Sequence, residues 1–101
     1  MGKTALVLIT DGTEEMEAVI LVDVLRRAQV DVTLAGLSED TSKAATCSRN
    51  VRITPDVSLK EAAVKEPYDV IVLPGEFLLC GTHVVSVCKI KTVFLIVMLF
   101  F

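Results

Sequence analysis

The stretch "TALVLITDGTEEMEAVILVDVLRRA" (residues 4–28) changes character at its Asp11-Gly12 pair. The run before that pair, residues 4–10, is apolar and rich in residues that favour strands. Gly12 then supplies the backbone freedom for a turn. The first half of the stretch therefore predicts a short buried strand that ends in a tight turn.

The second half of the stretch has the features of an amphipathic helix. Thr13 is a suitable N-cap, and Glu14 and Glu15 fall in the first turn, where the helix dipole favours negative charge. Apolar residues then recur at helical spacing, and we expect the helix to run to about Ala28. A strand, a turn and a helix are the opening units of an α/β fold.

The rest of residues 30–75 alternates between strand-like and helix-like segments. In chain order these are a strand (30–36), a polar loop (37–46), a short hairpin or edge strand ended by Pro55 (47–56), a short helix capped by Ser58 (59–66) and a fully buried strand (68–75). Apolar strands separated by helices predict three parallel strands flanked by two helices. Ligand sites in such sheets gather at the carboxyl ends of the strands.

Charge and aromatic residues divide the chain near residue 76. All thirteen acidic residues lie at or before Glu76, whereas all four phenylalanines lie after it. We therefore predict a domain segment at residues 1–76 and a divergent apolar tail at residues 77–101, of the kind that a changed reading frame or a retained intron produces. A membrane anchor is the alternative, but "VFLIVMLFF" (93–101) is short against the roughly twenty residues of a spanning helix.

Overall composition narrows the class of protein. The net charge of -3 gives no reason to expect nucleic acid as a partner. Cys47, Cys80 and Cys88 have no metal-like spacing, and His83 stands alone. No basic segment followed by an apolar core opens the chain, so we expect no signal peptide and a reduced, cytoplasmic location.

Glu17 is the unusual residue of the predicted helix. On a helical wheel it falls in the apolar arc rather than among the charged residues. That arc, which we expect to face the sheet, contains Ile20, Leu21, Val24, Leu25 and Ala28. A buried carboxyl group must find a donor or take up a proton, which makes it a candidate to share a proton with a nucleophile. The alternative is a glutamate at the rim of the core whose tip reaches water.

Met16 and Val19 have the opposite anomaly, because both are apolar on the polar side of the helix. Single exposed apolar residues are normal on protein surfaces. Two on one strip could instead form a contact surface.

Three segments in this order resemble the amino-terminal part of the DJ-1/PfpI family. They are "ALVLITDGTEEMEAVILVDVLRRAQVDVTLAGL" (5–37), "CSRNVRITPDVSL" (47–59) and "PYDVIVLPG" (67–75). The likeness covers roughly residues 3–75, and the Glu-Glu-Met-Glu run, Cys-Ser-Arg and Leu-Pro-Gly are its specific motifs. The resemblance implies part of a flavodoxin-like α/β sandwich that forms a homodimer through the first helix.

The resemblance also implies roles for single residues. Glu17 matches a glutamate that hydrogen-bonds a nucleophilic, oxidation-sensitive cysteine, and Gly75 matches the first glycine of a Pro-Gly-Gly loop near the oxyanion site. Met16 matches a methionine of the dimer face, on which Val19 would also lie. Arg49 matches an arginine near the dimer interface and the pocket mouth, and Cys47 matches a peripheral cysteine that remains a redox candidate.

Members of the family are described as oxidative-stress proteins. The activities that the resemblance implies are glyoxalase-type conversion of methylglyoxal to lactate, deglycation of protein or nucleotide, and redox-dependent chaperoning. Small reactive carbonyls are the implied substrates, and the glyoxalase chemistry requires no metal or organic cofactor. The family is cytoplasmic and also occurs in the nucleus and mitochondrion.

The sequence departs from the family pattern after the last strand. The loop reads Pro74-Gly75-Glu76 instead of Pro-Gly-Gly, and neither Cys80 nor Cys88 stands in the strand–turn–helix elbow that presents the family nucleophile. We therefore expect a truncated, inactive variant. The alternatives are a non-catalytic dimerisation module, or an unstable fragment that associates with membranes through residues 93–101.

Overall fold

The computed structural model describes residues 2–38, 40, 43–65 and 67–74. The predicted tail, the boundary at residue 76 and Gly75 lie outside these residues. The elements in chain order are β1 (Thr4–Ile9), α1 (Glu15–Arg27), β2 (Asp31–Gly36), β3 (Ala45–Thr46), β4 (Arg52–Ile53), β5 (Val57–Ser58), α2 (Leu59–Val64) and β6 (Val70–Val72). None of the helices in the described ranges has the length and apolar character needed to cross a membrane.

Within the described residues, the main sheet contains four strands in the order β5-β2-β1-β6, and each neighbouring pair is parallel. β1 pairs with β2 along its whole length, from Thr4 opposite Asp31 to Ile9 opposite Gly36. Its other edge pairs with β6, with Ala5 opposite Val70. The predicted parallel sheet with flanking helices is therefore confirmed, and β1 is an inner strand of it.

The two-residue strand β5 was not predicted. It pairs with Ala35 and Gly36 at the end of β2. For residues 47–56 the sequence predicts a short hairpin or an edge strand, and the structure shows a hairpin. Its second strand, β4, pairs with β3 in the antiparallel sense, with Ala45 opposite Ile53 and Thr46 opposite Arg52. Strands of two residues are too short to carry a period in the sequence, so their pairing is decided by contacts elsewhere in the chain.

β1 is buried on both faces of the sheet, which explains its uninterrupted apolar sequence. Leu6 and Leu8 belong to one core cluster, together with residues of α2. Ala5 and Val7 belong to the other, against which α1 packs. The two helices thus cover opposite faces of the sheet.

The start of α1 differs from the prediction. Thr13 is not the N-cap: its hydroxyl accepts a hydrogen bond from the Thr10 N–H at 2.9 Å, and its own N–H donates back to the Thr10 carbonyl at 3.1 Å. Glu14 is the N-cap, and its carboxylate accepts from the Met16 N–H at 3.1 Å. The turn holds Gly12 at a φ of 88°, which directs Thr13 inward and leaves the cap to the next residue.

Both helix predictions are otherwise close to the observed ends. Ala28 is the C-cap of α1. Ser58 caps α2 as predicted, with a full capping box in which the Ser58 hydroxyl accepts from the Glu61 N–H at 3.2 Å and the Glu61 carboxylate accepts from the Ser58 N–H at 3.4 Å.

The buried face of α1 is narrower than its apolar arc. Leu21 and Leu25 pack on the sheet as expected. Ile20 and Val24, which we also expected to face the sheet, are 47% and 56% exposed, and Ala28 is exposed as well. The sheet covers only part of the apolar arc, so its outer edge stays on the surface.

Gly36 closes β2 where Pro55 packs against the strand. A Cβ added at Gly36 would lie 2.8 Å from Pro55 Cγ, closer than carbon atoms approach without displacement. The close approach of the proline ring therefore requires glycine at this position.

Candidate functional site

The carboxyl end of β1 is the switch point of the sheet. β2 lies on one side of β1 and β6 on the other, so the chain leaves β1 in one direction and later returns on its opposite edge. Crevices form at such points in open parallel sheets, outside the carboxyl ends of the strands. The segment that lies there is residues 10–17, which contains the turn and the first residues of α1.

Glu17 is buried at this end of the sheet. It lies in the first turn of α1 and is 2% exposed, on the same helix as the buried Ala18. This burial contradicts the alternative in which its tip reaches water. Its role as the proton partner of a nucleophile stays a prediction.

Glu15 has the most extensive set of hydrogen bonds at the site. Its carboxylate accepts from the Ser48 hydroxyl at 2.8 Å, from the Arg49 N–H at 2.9 Å and from the Val51 N–H at 3.3 Å. Burial of the carboxyl group opposes its ionisation, but the backbone N–H of Glu15 itself and these three donors outweigh it and lower the pKa of Glu15 from 4.5 to about 2. Glu15 is therefore ionised at neutral pH and binds the turn between β3 and β4.

Three further contacts, all made by backbone groups of the hairpin, tie it to the segment before α1. The Thr46 N–H donates to Asp11 Oδ1 at 2.9 Å, and the Gly12 N–H donates to the Thr46 carbonyl at 2.9 Å. The Ser48 N–H donates to the Thr13 carbonyl at 2.9 Å. The hairpin is thus fixed along its first strand as well as at its turn.

Cys47 is a free thiol inside this hairpin and is 3% exposed. Its Sγ lies 3.9 Å from the Ala45 carbonyl oxygen. Burial raises the pKa of the Cys47 thiol, and the carboxylates of Glu15, Asp11 and Glu14 raise it further. A reactive cysteine needs the reverse environment, so the closed hairpin disfavours the redox role considered for Cys47.

The other predicted site residues lie around α1. The Arg49 backbone reaches Glu15, and its guanidinium Nη1 lies 3.5 Å from the Ser48 carbonyl oxygen. Met16 and Val19 are each 53% exposed, and with Ile20 and Val24 they form an exposed apolar surface, which we call the α1 surface. Beside it, a groove of about 570 Å³ runs between α1 and β4, floored by Ile9 and Ala18 and bordered by Ile53.

The structure brings Glu17, Arg49 and Cys47 to the same end of the sheet. Gly75 lies outside the described residues. Within those residues, no group of three His, Cys, Asp or Glu side chains is placed to hold a metal ion. Sequence reasoning missed the part played by Glu15, because its partners lie 33 to 36 residues away and no local pattern marks them.

The fold and this site define an α/β protein with a parallel sheet and a buried glutamate at its switch point. The sequence model of the DJ-1/PfpI family matches residues 3–94, and the chain belongs to that family. The match extends past residue 75, where the specific motifs end; the boundary at residue 76 stays a prediction.

Individual relatives agree with this assignment. The chain is 53% identical over 77 residues to the Parkinson disease protein 7 homolog of Danio rerio, covering 76% of this chain and 40% of the relative. It is 39% identical over 74 residues to the glutathione-independent glyoxalase DJR-1.2 of Caenorhabditis elegans, covering 72% and 38%. The crystal structure of Drosophila melanogaster DJ-1beta superposes with a TM-score of 0.67 at 52% identity, covering 74% and 39%. The chain thus spans about two fifths of the length of these relatives.

Proposed function

We propose that this chain is an oxidative-stress protein of the DJ-1/PfpI family that carries the glutamate side of a glyoxalase or deglycase site. The observation that supports this most directly is Glu17, 2% exposed in the first turn of α1 at the carboxyl end of β1. A carboxyl group in this position can accept the proton of a thiol or return it to an adduct. The similarity to a relative named as a glutathione-independent glyoxalase supports the same substrate class, small reactive carbonyls.

We further propose that the chain has no glyoxalase activity of its own. Covalent catalysis needs a thiolate beside its base. Cys47 is enclosed by its hairpin with a raised pKa, and the sequence around Cys80 and Cys88 has no elbow motif. The glutamate is then one partner of a pair whose nucleophile this chain does not supply.

Production of lactate from methylglyoxal by the purified chain tests this proposal. We expect no lactate above the rate without protein. The Cys47→Ser, Cys80→Ser and Cys88→Ser variants should be equally inactive. Turnover that one of these substitutions abolishes, and that Glu17→Gln lowers as well, would identify a working cysteine and overturn the proposed inactivity.

A second candidate function is that of a dimerisation or interaction module without catalysis. The observation that favours it is the α1 surface, on which four large apolar side chains are about half exposed. Contiguous apolar surface of this kind is typical of protein interfaces. A homodimer through α1 is the assembly we propose. We also propose chaperone activity and association of residues 93–101 with membranes.

A further inference from the structure

We propose that Glu15 is the latch of a conformational device: its carboxylate holds the β3–β4 hairpin closed over Cys47, and loss of the latch opens the hairpin as one unit. This inference does not depend on the proposed function. It rests on the hydrogen bonds of residues 45–53 to the rest of the chain, which among the described contacts go to residues 11–15. The hairpin also has apolar support, because Ala45 and Ile53 pack in a core cluster with Ile9 and Ala18.

The turn of the hairpin depends on Glu15 for two of its backbone N–H groups. Its Asn50 has a φ of 68°, a left-handed conformation that asparagine adopts more readily than most residues other than glycine. Within the turn, the Asn50 N–H donates to the Cys47 carbonyl at 3.0 Å, and the Cys47 N–H donates to the Val51 carbonyl at 2.8 Å. The Arg49 and Val51 N–H groups both point instead to the Glu15 carboxylate. That carboxylate thus adds contacts to a hairpin whose two strands pair at only two positions.

Cys47 lies at the start of the same turn, and its N–H donates to the Val51 carbonyl. The thiol is buried although its neighbours Thr46 and Ser48 are both exposed, so a small movement of the hairpin would uncover it. The closed hairpin therefore keeps the thiol from solvent, and the open hairpin presents it to oxidants and electrophiles.

The rate at which a maleimide labels Cys47 in the full chain tests the latch. Trypsin cleavage after Lys43 and Arg49 gives the peptide of residues 44–49, so mass spectrometry separates Cys47 from Cys80 and Cys88. In Glu15→Gln we expect labelling to accelerate by roughly tenfold or more, because hydrogen bonds to a charged acceptor are among the stronger ones in proteins.

Removal of a negative charge near Cys47 could by itself accelerate labelling, and Glu14→Gln controls for that. The Glu14 carboxylate also raises the pKa of Cys47. It accepts from the Ser48 hydroxyl at 3.0 Å but, in the described contacts, from no backbone N–H of the hairpin. Glu15→Asp adds the complementary control, since it keeps the charge but is too short to hold both N–H groups. We expect Glu14→Gln to label much more slowly than Glu15→Gln, and Glu15→Asp to resemble Glu15→Gln.

Hydrogen exchange distinguishes opening of the whole hairpin from local loosening of the turn. The Thr46 and Ser48 amides donate to Asp11 and Thr13, not to Glu15. In Glu15→Gln they should lose protection together with the Arg49 amide, while the amides of β1 remain protected. If only the Arg49 and Val51 amides exchange faster and Cys47 labels at the rate of Glu14→Gln, the proposal is wrong.

A milder variant covers the case in which Glu15→Gln does not fold. Ser48→Ala removes the hydroxyl that contacts the Glu15 carboxylate at 2.8 Å and the Glu14 carboxylate at 3.0 Å, and it leaves both N–H groups in place. We expect a smaller acceleration of Cys47 labelling, of about two- to tenfold, for the loss of this hydroxyl donor. An unchanged labelling rate in Ser48→Ala, in a chain with protected β1 amides, would also overturn the proposal.

Discussion

Three glutamates in four residues have different surroundings, and this decides what each can do. Glu14 caps α1 and is half-buried, whereas Glu15 is buried against the hairpin and Glu17 at the end of the sheet. The same side chain thus serves as a cap, a latch and a candidate proton partner, because helix geometry turns successive residues toward different neighbours.

The pKa of Glu15 predicts how stability depends on pH. The folded pKa of about 2 lies below the ordinary 4.5, so this carboxylate stabilises the fold above about pH 4.5, and the contribution is lost as pH falls toward 2. In urea unfolding at pH 6, 4 and 3, we expect the wild-type chain to lose more stability across the series than Glu15→Gln. The free energies of unfolding of the wild type and of Glu15→Gln should approach each other at the lowest pH.

Asp69 provides the control for this experiment. Its pKa is also lowered, mainly because the Thr4 N–H donates to its carboxylate at 2.8 Å. Asp69→Asn removes a different carboxylate, so this variant should still show the loss of stability at low pH that Glu15 causes. A Glu15→Gln chain as acid-sensitive as the wild type would contradict the pKa assignment.

At the scale of single elements, Gly36→Ala should destabilise β2. The added methyl group would lie 2.8 Å from the Pro55 ring, and such overpacking typically costs about 1–3 kcal/mol. Chemical denaturation measures the loss. The double variant Gly36→Ala, Pro55→Ala should recover part of it, and an absence of coupling between the two positions would show that the ring can move away.

Ser58→Ala should weaken α2. The variant loses the hydroxyl that accepts from the Glu61 N–H, and loss of such an N-cap costs about 1 kcal/mol. Glu61→Gln is the matched control, because glutamine also completes a capping box and should unfold close to the wild type. If both variants lose the same amount of stability, the charge of Glu61 and not the Ser58 cap would explain the effect.

The longer elements could be predicted from the sequence, because their periodicity is set locally. β1, α1 and β2 lie within two residues of their predicted ends, and Ser58 was recognised as a cap. The family resemblance was confirmed by the match over residues 3–94. The N-cap at Glu14, the exposure of Ile20 and the hairpin contacts of Glu15 could not be predicted, because each depends on how distant segments meet.

For the whole molecule, we expect self-association through α1. Val19→Glu places a charge in the α1 surface and should shift sedimentation velocity toward the monomer. Val64→Glu is the matched control, because Val64 is 85% exposed at the far end of α2. If both variants sediment like the wild type, the homodimer proposal through this helix is wrong.

The inner position of β1 has a consequence for the chain during its synthesis. Its neighbour β2 follows 27 residues later, as the pairing of Thr4 with Asp31 shows, whereas its other neighbour β6 follows 65 residues later, as the pairing of Ala5 with Val70 shows. Because chains are synthesised at about 5–20 residues per second, one edge of β1 stays unpaired on the ribosome for roughly 3 to 13 s before β6 is made. An apolar strand with an open edge invites wrong pairing for that whole interval, so nascent chains of this protein should need a chaperone most between the emergence of β2 and that of β6.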